Sequence, residues 1–297
     1  MSYILITPAR NEEAFIENTI RSVISQTLRP QKWVIVSDGS TDGTDDIVKK
    51  YSGDHPWIEL VRMPEHRDRQ FAAKVHCFRA GYTKVNGSTY DVIGNLDADV
   101  SFERDYFEFL MERFATIPEL GVAGTPYVEE GYSSTRDSFE GETHVAGGVQ
   151  LFRRQCFEEI GGYIPHKGGG IDWIAVTTAR MKGWQTRSFR EKYFYHYRPK
   201  GTAESNILAA AFQYGKKDYY LGGHPLWQIF RMMYRTTKKP FILGGIALML
   251  GYVTAYATRM PRPISPELMK FHRQEQMEKL KVIIRNILCF KRVDTFG

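Results

Sequence analysis

The stretch DVIGNLDADV (91–100) is an apolar run that ends in two carboxylates one alanine apart. An unpaired carboxylate is costly to bury, so Asp97 and Asp99 are exposed, paired or bound to a cation. Alternate residues of a strand point the same way, and a strand that persists through Asp99 faces both acids toward one ligand. Ala98 keeps bulk out of the position between them. A solvated loop or a helix cap explains a lone DxD equally well, so the flanking sequence has to decide.

Upstream, YILI (3–6) and WVIVS (33–37) are compact strand candidates, each leading through polar residues into a helical pattern. The segment ARNEEAFIENTIRSVISQT carries the stripe Ile16, Ile20, Val23, Ile24 and Thr27, with Asn11 as its expected cap. After WVIVS come SDGSTDGT (37–44) and a short helix, DDIVKKY; WIELVRM (57–63) is a third strand candidate. A helix over about 70–83 leads into DVIGNL, ERDYFEFLMERFAT is helical, and GVAGT (121–125) is again extended. Strands alternating with helices predict a mostly parallel, layered α/β sheet. Ligands of such sheets sit outside the carboxyl ends of the strands, which is where the two acids fall. There Mg²⁺ or Mn²⁺ shared with substrate phosphates would offset their repulsion.

Farther on, EEGYSSTRDSFEGETH (129–144) is polar and reads as a loop or lid, and HVAGGVQLFRR as a strand. FEEIGGY ends a helix at glycine, KGGGIDWIAVTTARMKG is a flexible loop running into a helix, and QTRSF and YFYHYR are short extended pieces. Asp38, at the end of the second strand, suits hydrogen bonds from a base or ribose; a plain Asx turn is the ordinary alternative. Neither G-x-G-x-x-G nor GxxxxGK[ST] occurs in these loops, which argues against an ordinary dinucleotide-binding or P-loop protein.

The composition, 42% hydrophobic and 25% charged, is that of a folded chain, and its net charge of +6 suits phosphate ligands or an anionic surface without choosing between them. Cys77, Cys156 and Cys289 are far apart and form no CxxC, so neither a disulfide scaffold nor a zinc site is expected, and a reducing compartment fits. The N-terminal MSYILITPARNEE reads as a first strand rather than a secretion signal.

In combination, TPARNEE (7–13), SDGSTDGT (37–44) and NLDADV (95–100) strongly resemble the inverting family 2 glycosyltransferases of GT-A fold. FRRQCFEEIGGY (152–163), GIDW (170–173), the region from Arg180 to Gly183 and HYR (196–198) add weaker likenesses, so the resemblance covers about residues 1–200. It implies a Rossmann-like α/β/α catalytic domain over 1–222 and transfer of a sugar from a nucleoside-diphosphate sugar, UDP-sugar favoured, to a saccharide or lipid-linked acceptor. By the same resemblance Pro8, Ala9, Arg10 and Glu12 line the nucleotide pocket and Asp38 lies near the base. Asp97 then lies near ribose and metal, and Asp99 ligates Mn²⁺ or Mg²⁺ directly. Lys74 is a further nucleotide-pocket candidate, although RDRQFAAKVHCFRAG (67–81) departs from the Asn- and Gly-rich family pattern and an ordinary solvated helix lysine explains it as well. His196 corresponds to a histidine that supplies another metal ligand in some relatives, with a satisfied structural histidine as the alternative, and Arg198 is placed to neutralise diphosphate, with a solvated basic loop as the ordinary explanation. Asp172 takes the position of the catalytic aspartate, with Ile171 where the family usually has glutamate. Its carboxylate would remove a proton from the acceptor hydroxyl; without that context it reads as a helix cap. Trp173 reads as a core residue or an acceptor contact.

After about residue 222 the composition changes. HPLWQIFRMMYRTTKKP mixes aromatic, apolar and basic residues, FILGGIALMLGYVTAYA (241–257) is 17 residues without a charge, and PELMKFHRQEQMEKLKVIIRNIL reads as a basic amphipathic helix. This extension, 223–297, is expected to be helical and to attach the protein, peripherally or monotopically, to the cytoplasmic face of the cell membrane, within reach of a lipid-linked saccharide of the cell envelope. A buried core helix is the plain alternative, and a homo-oligomer interface would use the same apolar run. Nucleic acid is not an expected partner. A sugar nucleotidyltransferase would need a Gly- and basic-rich loop near its first strand, which TPARNEE lacks; a carbohydrate- or lipid-binding scaffold without turnover is the remaining alternative.

Overall fold

The structure, a computed structural model, describes residues 1–65, 71–134, 141–198 and 207–289. Two compact units divide the chain, Met1–Arg198 and Pro199–Asp294. The first opens with β1 (Tyr3–Ala9), α1 (Ile16–Ile24), β2 (Lys32–Ser37), α2 (Thr44–Asp54), β3 (Ile58–Arg62), α3 (Phe71–Thr83) and β4 (Val92–Leu96). It continues through β5 (Val100–Phe102), α4 (Tyr106–Thr116), β6 (Leu120–Gly124), β7 (Tyr127–Glu129), β8 (Tyr132–Ser133) and β9 (Val149–Arg153). The last elements are α5 (Arg154–Glu159), α6 (Ile171–Met181), β10 (Gln185–Ser188) and β11 (Phe194–His196).

Seven of these strands form one sheet in the order β10-β6-β9-β4-β1-β2-β3, and among them β9 alone runs antiparallel to its neighbours. The strand sequences show why it is layered. Tyr3 and Leu5, with Trp33 and Ile35, enter one apolar core together with Phe107 and Phe114 of α4. Their neighbours Ile4 and Ile6, with Val34 and Val36, enter a second core with Val75 and Phe78 of α3. Near-continuous apolar runs are what a sheet covered on both faces requires. The layered α/β/α fold with a mostly parallel sheet is thus as expected.

Two details differ from the sequence reading. The first is Asn11, which does not cap α1. The helix begins after Phe15, while Asn11 stands at φ 53°, its backbone N–H donating to Ser40 Oγ (3.1 Å) and its side-chain oxygen accepting from Thr41 N–H (2.9 Å). It fastens the loop after β1 to the loop after β2. The second is the DxD segment, where the strand does not persist: β4 stops at Leu96 and Asp97–Asp99 make the turn before β5. Asp97 N–H donates to the Gly148 carbonyl (2.8 Å), and Thr19 Oγ1 lies 2.8 Å from the carbonyl oxygens of both Ala98 and Val100.

A smaller sheet, β5-β11-β7-β8, pairs His196 with Val100, one residue past Asp99. The polar stretch read as a loop or lid supplies β8 and the end of β7; residues 135–140 of it lie outside the described residues.

The second unit holds α7 (Ile207–Tyr220), α8 (Pro225–Thr236), α9 (Ile242–Ala257) and α10 (Pro266–Leu288). Pro266 and the Ser265 side chain, accepting from Leu268 N–H (3.1 Å), start α10 in the ordinary way. Within this unit α7 packs closely on α9. A Cβ added at Gly215 would lie 2.0 Å from the Leu248 carbonyl oxygen, and one at Gly251 1.9 Å from that of Phe212. Among the described residues no helix is long and apolar enough to cross a membrane.

Candidate functional site

The loops that follow β1, β2 and β4 lie side by side, because those strands are neighbours in the sheet. The first two loops are laced together: Asp38 N–H donates to the Ala9 carbonyl (2.8 Å) and Glu12 N–H to Thr44 Oγ1 (2.8 Å). Arg10 Nη1 lies 3.8 Å from Asp38 Oδ2, both side chains largely buried. Pro8 is partly exposed there, but Ala9 is buried among core residues, so its contribution to a pocket is through its backbone. Cys77, fully buried on α3, has its thiol pushed well up by burial and by the neighbouring Asp38.

Asp97, Asp99 and His196 present one ligand atom each within 4.8 Å of one another. His196 Nε2 is 3.6 Å from Asp99 Oδ1, and Glu129 Oε1 stands 3.3 Å from His196 Nδ1 on the other side of the ring. That second approach is at ion-pair distance without hydrogen-bond alignment. Lys74 reaches this cluster instead of solvent and bonds Asp97 Oδ1. Burial works against its charge, but Asp97, Asp172 and Asp99 more than offset it, and Lys74 stays above the usual lysine range.

The cluster is overloaded with negative charge for its burial. Asp99 is held above the carboxylate range by burial and by Asp97, against the opposing pull of His196, Arg198 and Lys74. Glu12 is pushed up to about 7 by burial and by Asp99, although Arg198 Nη2 donates to its Oε2 at 2.6 Å. Two carboxylates and an imidazole brought this close together fit a divalent cation such as Mn²⁺ or Mg²⁺. Arg198 also lies over the Phe15 ring at 5.6 Å, and Phe15 stacks on Tyr197.

Asp172 lies in the first turn of α6. The cap is Gly170, at φ 81°, so Asp172 is not the N-cap residue of this helix but its second residue. The left-handed backbone at Gly169 and Gly170 suits glycine. A Cβ at Gly147 would come within 2.9 Å of both Asp172 Cβ and Oδ2, so Gly147 is what lets Asp172 sit this close to the strand leading into β9. Asp172 shares a small cavity with Lys74, Asn95 and Tyr163. Asn95 Nδ2 donates to the Gly147 carbonyl (2.8 Å), and Tyr163 Oη donates to Gln150 Oε1 (2.6 Å). Trp173 is buried, as its core reading expected.

All the residues singled out from sequence thus fall around the carboxyl ends of β1, β2 and β4, on the neighbouring α3 and α6, or at the end of β11. Glu129 and Asn95 were not singled out. Glu129 lies in a stretch whose polarity suggests a loop, and only the pairing of β7 with β11 brings it to His196. Asn95 reads as part of an apolar strand and carries no local signal.

The family model described as Glycosyl transferase family 2 matches residues 4–169. The chain is similar to the 4,4'-diaponeurosporenoate glycosyltransferase of Staphylococcus aureus (strain bovine RF122 / ET3-1), with 29% identity over 199 residues, 60% of this chain and 51% of that protein. The same enzyme from strain USA300 is 29% identical over 196 residues, 59% of this chain and 50% of its own. The chain therefore spans about half the length of the curated relatives it matches. Among solved structures it resembles a Pyrobaculum calidifontis mannosyltransferase in complex with GDP-Man and Mn²⁺, with TM-score 0.56, 20% identity, and 96% of this chain and 86% of that one covered. Staphylococcus aureus TarS 1-349 in complex with UDP-GlcNAc gives TM-score 0.60 at 13% identity, covering 98% of this chain and 93% of that one. At these identities the likeness is one of fold.

Proposed function

The chain belongs to glycosyl transferase family 2, and from that premise we propose that it moves a sugar from a nucleoside-diphosphate sugar to a hydroxyl of a saccharide or lipid-linked acceptor, inverting the anomeric carbon. The observation that carries the reading is the convergence of Asp97, Asp99 and His196 outside the sheet's carboxyl edge, with Asp172 opening into a cavity it shares with Lys74. Similar folds have been captured with GDP-Man and with UDP-GlcNAc, which supports a nucleotide-sugar donor; UDP-sugar remains the favoured class.

Asp172 accepts the acceptor hydroxyl's proton as that oxygen bonds to the anomeric carbon. The bond from that carbon to the diphosphate oxygen breaks, and the nucleoside diphosphate departs with the electron pair. Lys74 and Arg198 lend positive charge to the diphosphate, and Asp172 helps to keep Lys74 charged for that purpose. Asp99, Asp97 and His196 would hold Mn²⁺ or Mg²⁺, which when bound supplies further charge to the leaving group. Glu129 stands at ion-pair distance behind the His196 ring, where a small turn of the ring would let it hold Nδ1–H as carboxylates behind metal-binding histidines do. Arg10, Glu12 and Asp38, with the backbone at Pro8 and Ala9, form the nucleotide side.

The test is a transfer assay, corrected for donor hydrolysis, over a panel of nucleotide sugars and of saccharide and lipid-linked acceptors. Asp172→Asn is expected to lower transfer at least 10³-fold or so while donor binding persists. Undiminished transfer by that variant would remove the base assignment. No transfer by the parent with any donor, alongside intact donor binding, would favour a binding scaffold.

A further inference from the structure

Helix α9 is built inside out. Its packed side carries Gly244, Gly245, Leu248, Gly251, Tyr252 and Ala255. Its open side carries Ile242, Leu243, Ile246, Leu250, Val253 and Tyr256, each between 46% and 67% exposed. Those six recur at helical spacing on one face. The glycines hold the arrangement in place: Gly251 meets the α7 backbone, and a Cβ at Gly245 would lie 2.8 Å from the Met232 carbonyl oxygen of α8. Turning the large side chains inward would force those backbones apart. A contiguous exposed apolar face of this kind marks an interaction surface.

Charge identifies the partner. Residues 1–198 carry 24 Lys and Arg against 28 Asp and Glu, whereas residues 199–297 carry 16 against six. Between Asp218 and Glu267 there is no carboxylate at all, while Arg231, Arg235, Lys238, Lys239, Arg259 and Arg262 occur there. Exposed Lys239 and Arg259 stand just outside the two ends of α9. A second copy docked on the same face would bring like charge to like charge. At 16 residues α9 is about 24 Å long, short of the roughly 30 Å hydrocarbon layer. We infer that α9 docks side-on in the surface of an anionic lipid bilayer, its apolar face among the acyl chains and its basic flanks at the headgroups. The inference stands apart from the transfer chemistry and is read without it.

The experiment mixes the full chain with vesicles of phosphatidylcholine alone or with phosphatidylglycerol added, and measures the bound fraction after sedimentation. Binding is expected on the anionic vesicles and to fall with salt. Leu243→Gln with Leu250→Gln should weaken it about a hundredfold or more, and Lys239→Gln with Arg259→Gln about tenfold, with melting temperatures unchanged because these side chains are exposed. If the leucine variant melts lower, the charge variant carries the test. No binding to anionic vesicles, equal binding to both kinds, or variants that bind like the parent would overturn the inference. So would self-association in light scattering that the leucine variant abolishes while vesicle binding is absent, since the face would then belong to a second copy.

Discussion

At the scale of single residues, the histidine of the cluster is the most constrained group. His196 has Asp99 on its Nε2 side and Glu129 on its Nδ1 side, and all three side chains are nearly buried. A small turn of the ring that aligned Nδ1–H with Glu129 would favour the tautomer whose Nε2 is free to donate its lone pair to a cation. Glu129→Gln replaces that acceptor with an amide of the same size, so it tests orientation rather than packing. Manganese affinity of the full chain, read by electron paramagnetic resonance of free Mn²⁺, is expected to fall about ten- to a hundredfold with little change in melting temperature. Parent-like affinity would mean that Glu129 does not set the ring. Asp97 and Asp99 stood out as a paired acid motif whose meaning came from the motifs around it, and His196 was picked out only through the family resemblance. Glu129 was not, because its role depends on a strand pairing across more than sixty residues of chain.

At the scale of elements, the parallel strands announced themselves through runs such as YILI and WVIVS, which only a doubly covered sheet can bury. The smaller sheet did not, since β5, β7, β8 and β11 are two or three residues long and too brief for a period to show. The DxD turn was placed correctly but for a different reason: Thr19 and Gly148 hold it, and no strand alternation runs through it. The approach of α6 to the segment before β9 is likewise a matter of tertiary packing, and Gly147 permits it. Gly147→Ala puts a methyl 2.9 Å from the Asp172 Cβ and Oδ2, so the carboxylate must move by a few tenths of an ångström or more. Small misplacements of a reacting group cost up to about a hundredfold in rate. The expected result is transfer slowed ten- to a hundredfold or so with donor affinity kept. A variant that binds donor more weakly but turns over at the parental rate would place Gly147 on the nucleotide side instead.

Over the whole molecule, the net charge of +6 conceals two units of opposite character, one slightly acidic and carrying the site, the other basic and helical. Each has its own reason to be stable: the first through its two-sided sheet core, the second through glycine-to-backbone helix contacts between α7 and α9. A ligand that binds one folded unit stabilises that unit by mass action, by about 2.7 kcal/mol at a hundred times its dissociation constant. Donor and Mn²⁺ meet residues of the first unit only in the proposed site. Hydrogen exchange should therefore slow at the Asp97–Asp99 turn, the loops after β1 and β2, and β11, while α7 to α10 exchange as before. Anionic vesicles should do the reverse, slowing exchange in α9 and its flanks without the nucleotide loops. Equal slowing in both units by either ligand would show that the two unfold as a single cooperative body, and the separation of transfer from docking would then be lost.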